Sequence, residues 1–245
     1  MGMPVSIALR GWDADSPTGR RAWDAVVAEL RAVDRTFSTY RIDSVISRLG
    51  RRELTAAECP DDVTEVLALG QDAERQSGGA FSIHLPGPDG VRRLDPSGVV
   101  KGWAVERAAQ LLAELADTDF CLSAGGDMVC HVADPARPAW RVGIEDPHDP
   151  SRLVAVVPVR DGAVATSGAA HRGAHVVDAR TGLAPRTVAA VTVIGPSLTW
   201  ADIDATAAFA QGPRAADWLR TRTGRTALVV SDDGRTTWVT GAASC

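Results

Sequence analysis

The hydrophobic period of this chain changes just after Leu115, from helical to strand-like, and that change limits the available folds more than any other feature. Before it, Trp23, Val26, Leu30, Val33 and Phe37 recur at helical spacing. Ser16-Pro17 reads as N-cap and first helical residue of that long amphipathic helix. A short helix fits Ile42, Val45, Ile46 and Leu49. A third opens at Pro60-Asp61-Asp62, carries Val63, Val66, Leu67 and Ala73, and ends at Gly78-Gly79. A fourth is predicted from about Val99 to Leu115. Pro4–Leu9 and Ala80–Leu85 are strand candidates here, and Pro86–Gly90 is a loop.

Beyond the change, Phe120–Ala124, Met128–Val132, Trp140–Ile144, Leu153–Val159, Ala163–Thr166, His175–Val177 and Ala190–Ile194 are short, apolar and bounded by turn residues. Two helices, Trp200–Gln211 and Pro213–Arg222, precede a closing hairpin. Its strands are Thr226–Ser231 and Thr236–Thr240, turning at Asp232-Asp233-Gly234. Blocks of helices and blocks of strands without strict alternation predict the α+β class. No repeat, low-complexity tract or linker divides the chain, so residues 1–245 are expected to form one compact unit.

Composition restricts the partners. With 26 basic against 31 acidic side chains the formal charge is −5, which argues against nucleic acid or an anionic membrane. A phosphate-bearing ligand must then be met locally, by backbone N–H groups, a lone lysine or a bound cation. Cys59, Cys121, Cys130 and Cys245 show neither CxxC spacing nor a paired framework. They read as reduced thiols, with Cys121 and Cys130 as core residues. No signal segment opens the chain, and no apolar run approaches the ~18 residues of a membrane span. The expectation is a cytoplasmic protein.

Walker A, GxGxxG, GxSxG and HExxH signatures are absent. Four local constellations remain. Leu94–Ala104 runs small residues into the fourth helix with Lys101 in its first turn. A helix N-terminus beside a cation suits a phosphate, and a helix capped by Asp95 or Ser97 with a solvated lysine fits equally. Ser123-Ala124-Gly125-Gly126-Asp127 supports a close approach to a flat ligand, or simply a hairpin turn. Ala165-Thr166-Ser167-Gly168 and His175–Gly182 gather hydroxyls, a His, an Asp and an Arg on strand ends and loops. His175 is either a hydrogen-bonded strand residue or a general base. In Ala201–Ala207, Asp202 and Thr206 lie four apart on one helical face. They suit a hard cation such as Mg²⁺, or a cap plus a hydroxyl bonded back to its own helix.

In this order the pieces resemble the FAD:protein FMN transferase family, also called ApbE. The resemblance spans nearly the whole chain. It includes Met1–Ile7, Phe37–Leu49, Gly79-Ala80-Phe81, Asp95–Ala104, Gly125-Gly126-Asp127, Ala165–Gly168, His175–Gly182 and Ala201–Thr206. It implies a T-fold-like α+β unit with an antiparallel sheet and flanking helices. It also implies FAD contacts at Tyr40, Ala80, Phe81, Ser82, Asp95, Lys101 and Val177, with Lys101 near the pyrophosphate. Magnesium ligands would be the side chains of Asp202 and Thr206 and backbone oxygens of Gly98 and Ala205. His175, in the family's H-[IV]-[IV]-D motif, would be the base, and Asp202 the second catalytic residue. The chain departs from the family pattern at Met3 (usually Thr), Ser82 (commonly Asp), Gly50 (usually Asn) and Ala169-Ala170-His171-Arg172.

The implied reaction is Mg²⁺-dependent transfer of FMN from FAD to a threonine of an acceptor flavoprotein, with release of AMP. Two alternatives keep the same ligand: an FAD pyrophosphatase yielding FMN and AMP, and a non-catalytic FAD carrier.

Overall fold

The computed structural model describes residues 2–87, 89–168 and 176–242. Among them a seven-stranded sheet forms the middle of the molecule, and every neighbouring pair of its strands runs antiparallel. Its strands are β1 (Val5–Gly11), β4 (Thr118–Ala124), β5 (Asp127–His131), β8 (Gly162–Gly168), β9 (Val188–Gly195), β10 (Thr226–Ser231) and β11 (Thr236–Thr240), in that spatial order. Two separate hairpins are β2 (His84–Pro86) with β3 (Arg92–Leu94), and β6 (Trp140–Asp146) with β7 (Asp149–Val159). The α+β class expected from the periodicity is what the structure shows.

Helices cover one face of the sheet and the β6–β7 hairpin covers the other. Strand alternation produces this directly. On β8, Ala163 and Ala165 join the helical core while Val164 points to the hairpin. On β10, Ala227 and Val229 face the helices and Leu228 and Val230 the hairpin, where they meet Val142, Ile144, Val157 and Val159. The centre of the sheet is thus apolar on both faces, and β9 and β10 read as nearly continuous hydrophobic runs, whereas the edge strands β1 and β11 do not.

α1 (Pro17–Phe37) begins where Ser16-Pro17 predicted: the Ser16 side chain accepts the Gly19 N–H. α2 (Val45–Gly50) is capped by Ser44, leaving Ile42 outside and exposed. α3 is Asp61–Gln76, and α4 is Ser97–Gln110, starting two residues earlier than expected, so Lys101 lies just beyond its first turn. α5 (Leu198–Gln211) packs between α4 and strands β8 and β9. Only Trp200 and Thr206 of α5 retain appreciable exposure, and its many alanines permit that close packing.

Four expectations fail. α4 ends at Gln110 instead of Leu115, the chain turning over 111–114. Ala80–Leu85 is no strand except at its end, because its backbone is used elsewhere. Phe81 N–H donates to the Ser77 hydroxyl, and Ala80 C=O accepts from Ala179. Val176 and Val177 form no strand, and only Asp178 makes an isolated bridge, to Leu183. Pro213–Arg222 is no single helix: a 3₁₀ turn, Gly212–Arg214, opened by Gly212 (φ 57°), gives way to the short α6 (Ala215–Leu219). Among the described residues no helix is long and apolar enough to cross a membrane.

Candidate functional site

Three elements bring three charges together. Lys101 comes from α4, Asp202 from α5, and Asp127 is the first residue of β5. The Lys101 ammonium lies 2.5 Å from Asp127 Oδ2 and 3.0 Å from Asp202 Oδ1. Asp127 is placed by the two-residue turn Gly125-Gly126, whose φ values of 60° and 95° suit a type I′ hairpin. Asp202 reaches its position because residue 102 is glycine. A Cβ there would stand 2.9 Å from both the Asp202 Cβ and the Leu198 carbonyl oxygen. The Gly102 N–H instead donates to Asp202 Oδ2 at 3.0 Å.

Among the described residues the charges do not balance: two buried carboxylates share one ammonium. Burial lowers the affinity of Lys101 for its proton, but Asp202 and Asp127 outweigh it and hold the lysine above its ordinary range. Burial, reinforced by the Asp127 charge and only partly offset by Lys101, pushes Asp202 up to about 7. Asp127 Oδ1 accepts the Thr166 N–H at 3.0 Å. Its Oδ2 is held by the Lys101 ammonium.

Hydroxyls line the same corner. Thr206 Oγ1 is 2.9 Å from Ser167 Oγ on the helical face of the sheet, while Thr166 and Thr192, 2.8 Å apart at their hydroxyls, pair on the opposite face. Asp202 is therefore no helix cap, a role taken by Ser197, and the Thr206 hydroxyl turns to β8. Carboxylate and hydroxyl oxygens with more carboxylates than cations among the described residues fit a hard dication. No group of three or more His, Cys, Asp or Glu side chains with metal-ligand placement occurs among the described residues. Such an ion would therefore need hydroxyl, backbone or substrate oxygens too.

A second strip adjoins the start of α4. The Phe81 ring packs on Gly98, where an added Cβ would be 3.0 Å from Phe81 Cε2. Asp95 N–H donates to the Ile83 carbonyl, and Asp95 Oδ1 accepts the Ser97 N–H at 3.1 Å. Ala80 holds the Ala179 N–H, which fixes the segment just after Val177. Ser82 is buried, donates to Glu74 Oε2 at 2.8 Å, and accepts from His84 N–H and the Arg92 guanidinium. Ala205 is buried within α5. Tyr40 is 99% exposed in the loop after α1, and its hydroxyl has no partner among the described residues. His175 lies outside the described residues.

Asp127 and Ser167 are the partners that sequence reasoning left unassigned. The Gly-Gly-Asp turn was the available signal for the first, and the Ala165–Gly168 constellation for the second, without a role for the serine itself. A cavity of about 640 Å³ opens elsewhere, lined by Glu29, Glu65, Trp103, Arg107 and Trp200. It contains none of the three charged residues, and the charge cluster is the stronger mark of chemistry.

Fold and cluster together define an α+β protein with a buried lysine–dicarboxylate site beside a helix N-terminus. The model of the ApbE family matches residues 1–87 and 84–230, and the chain belongs to that family. It is 28% identical over 158 residues to an FAD:protein FMN transferase of Escherichia coli K12. It is 29% identical over 159 residues to one of Klebsiella pneumoniae. These stretches take in 60% of this chain and 45% of either relative, so the chain matches less than half the length of those proteins. Among solved structures, the ApbE protein of Thermotoga maritima is similar at a TM-score of 0.81 and 20% identity, over 97% of this chain and 94% of its own. The flavin transferase ApbE of Vibrio cholerae follows at 0.80 and 22%, over 98% and 94%. Likenesses at that identity establish the fold alone.

Proposed function

We propose that this chain is a Mg²⁺-dependent FAD:protein FMN transferase that attaches FMN to a threonine hydroxyl of an acceptor flavoprotein and releases AMP. The observation that carries the proposal is the buried Lys101–Asp127–Asp202 cluster, in which carboxylates outnumber cations among the described residues, in a chain of the ApbE family. The names of the bacterial relatives supply the substrate and the group transferred.

Asp202 and Thr206 would hold the metal, with backbone oxygens of Gly98 and Ala205, and Asp127 stands ready as a further carboxylate. When bound there, Mg²⁺ would neutralise charge on the FAD pyrophosphate. Lys101 would then be released in part from its carboxylates to face the same phosphates. The start of α4, with Asp95, Gly98 and Phe81, would position the flavin nucleotide, together with Ala80, Ser82, Val177 and the exposed ring of Tyr40. His175 is proposed as the base that takes the proton from the acceptor threonine as its oxygen attacks the FMN phosphorus. The P–O bond to AMP breaks as the new phosphoester forms, so positioning and electrostatics supply most of the rate.

The test is incubation of the purified chain with FAD, Mg²⁺ and a threonine-containing acceptor domain, with and without EDTA, read by intact mass. The expected outcome is an acceptor mass gain equal to FMN less water, lost with EDTA. AMP and free FMN without an adduct would replace the transferase with a pyrophosphatase. FAD bound but unchanged would leave a carrier.

A further inference from the structure

On the sheet face opposite the helices, Cys121 of β4 and Cys130 of β5 stand directly across from one another in register. Their sulfurs are 3.6 Å apart. Residues opposed across antiparallel strands have Cα atoms about 4.5–5.5 Å apart. A disulfide accepts about 4.4–6.8 Å. Side-chain rotation alone therefore suffices to bring the sulfurs into bonding distance.

Access is graded along this rung of the sheet. Ala8 of β1, opposite Cys121, is exposed; Cys121 is half-buried; Cys130 is 2% exposed, with Gly162 of β8 as its other neighbour. A small reagent thus reaches Cys121 first. The Cys130 S–H donates to Cys121 Sγ. That hydrogen bond outweighs burial and holds the Cys121 thiol below the ordinary range. The same bond and burial push Cys130 up. One sulfur is thus set to attack and the other to resolve.

We propose that Cys121 and Cys130 form a redox-active dithiol that closes to a cross-strand disulfide by exchange with a small-molecule disulfide. The Cys121 thiolate attacks one sulfur of the reagent R–S–S–R, breaking that bond and expelling R–S⁻. Cys130 then attacks Cys121 Sγ and expels the second R–S⁻. The two cysteine protons end on the departing thiolates, so the protein loses two hydrogens and the reagent gains them. The bond would tie β4 to β5 three rungs from Asp127. Cys59 is an internal control: it lies apart, after the 3₁₀ turn Ala56–Glu58, and donates to the Thr55 carbonyl. Burial, then the Glu58 charge, raise its thiol pKa.

The experiment exposes the full chain to glutathione disulfide, then quenches, denatures, labels with iodoacetamide and maps peptides by mass. No Lys or Arg lies between Cys121 and Cys130, so both fall on one tryptic peptide. The expected result is loss of both labels from that peptide and a mass lower by two hydrogens, reversed by dithiothreitol. Cys130→Ser should stop at a glutathione adduct on Cys121. Two retained labels on the wild-type peptide would overturn the proposal. So would a lasting glutathione adduct on wild-type Cys121 with Cys130 still labelled, or a bridge from either cysteine to Cys59. The decisive readout is on the wild-type chain and does not depend on a variant folding.

Discussion

α5 carries two aspartates, Asp202 and Asp204, each 1% exposed, and they do opposite things. Asp202 shares a single ammonium with Asp127, so among the described residues carboxylates outnumber cations in that corner. Asp204 meets two guanidinium groups, Arg222 Nε at 3.0 Å and Arg225 Nε at 3.1 Å, so among the described residues cations outnumber carboxylates in its corner. Arg222 is further held over the rings of Trp218 and Trp200, 5.1 and 6.0 Å from their centroids. Burial raises both carboxyl pKa values, against the arginines at Asp204 and against Lys101 at Asp202. Burial therefore does not distinguish a site from a clamp. What does is the local charge balance, and an unmatched carboxylate is what a cation or a reaction can use.

The sharpest way to break this contrast is Asp202→Ala. Removing one preorganised charge should lower FMN transfer by about 10³-fold while the circular dichroism spectrum stays native. Retained Mg²⁺-dependent transfer would mean that the corner is structural after all. On the other side, Arg222→Ala with Arg225→Ala strands Asp204 without a partner. Urea denaturation should show a loss of about 3–5 kcal/mol, with Mg²⁺ affinity unchanged in the protein that folds. An Asp204 corner that tolerates both substitutions would not be the clamp described.

Lys101→Met should cost less, about 2–4 kcal/mol, because Asp202 can take up a proton near neutral pH instead of staying charged. In the same variant, Mg²⁺ should raise the melting temperature by more than it does in the wild type, since the ion no longer competes with an ammonium. Equal shifts would remove that competition. The smallest effect belongs to Gly102→Ala. Its Cβ would press on Asp202 and the Leu198 carbonyl, at a cost of about 1–3 kcal/mol measured by thermal or urea denaturation. A neutral result would show that α4 and α5 can separate without disturbing the site.

Much of this was legible in the chain itself. The switch of period after Leu115 places the helical and strand blocks, Ser16-Pro17 starts α1, and Asp232-Asp233-Gly234 turns the final hairpin between the predicted strands. Such signals are local: cap, turn and face depend on residues within a few positions, which the sequence presents side by side. The order of motifs pointed to the family, and Asp202, Thr206 and Lys101 were visible as chemistry-bearing residues.

Tertiary structure decided the pairings. The sequence offers Asp202 and Asp204 as near-equivalents on one helix, and only packing sends one to Lys101 and the other to Arg222 and Arg225. Cys121 and Cys130 showed no paired spacing, yet the tight turn at Gly125-Gly126 sets the register that opposes them. Ala80–Leu85 has the composition of a strand, but Ser77 and Ala179 take its backbone hydrogen bonds. In each case the deciding partner lies outside the local segment or depends on how the chain folds back. Burial makes an unmatched charge or an unpaired N–H costly, and that cost, which no local pattern records, selects the arrangement.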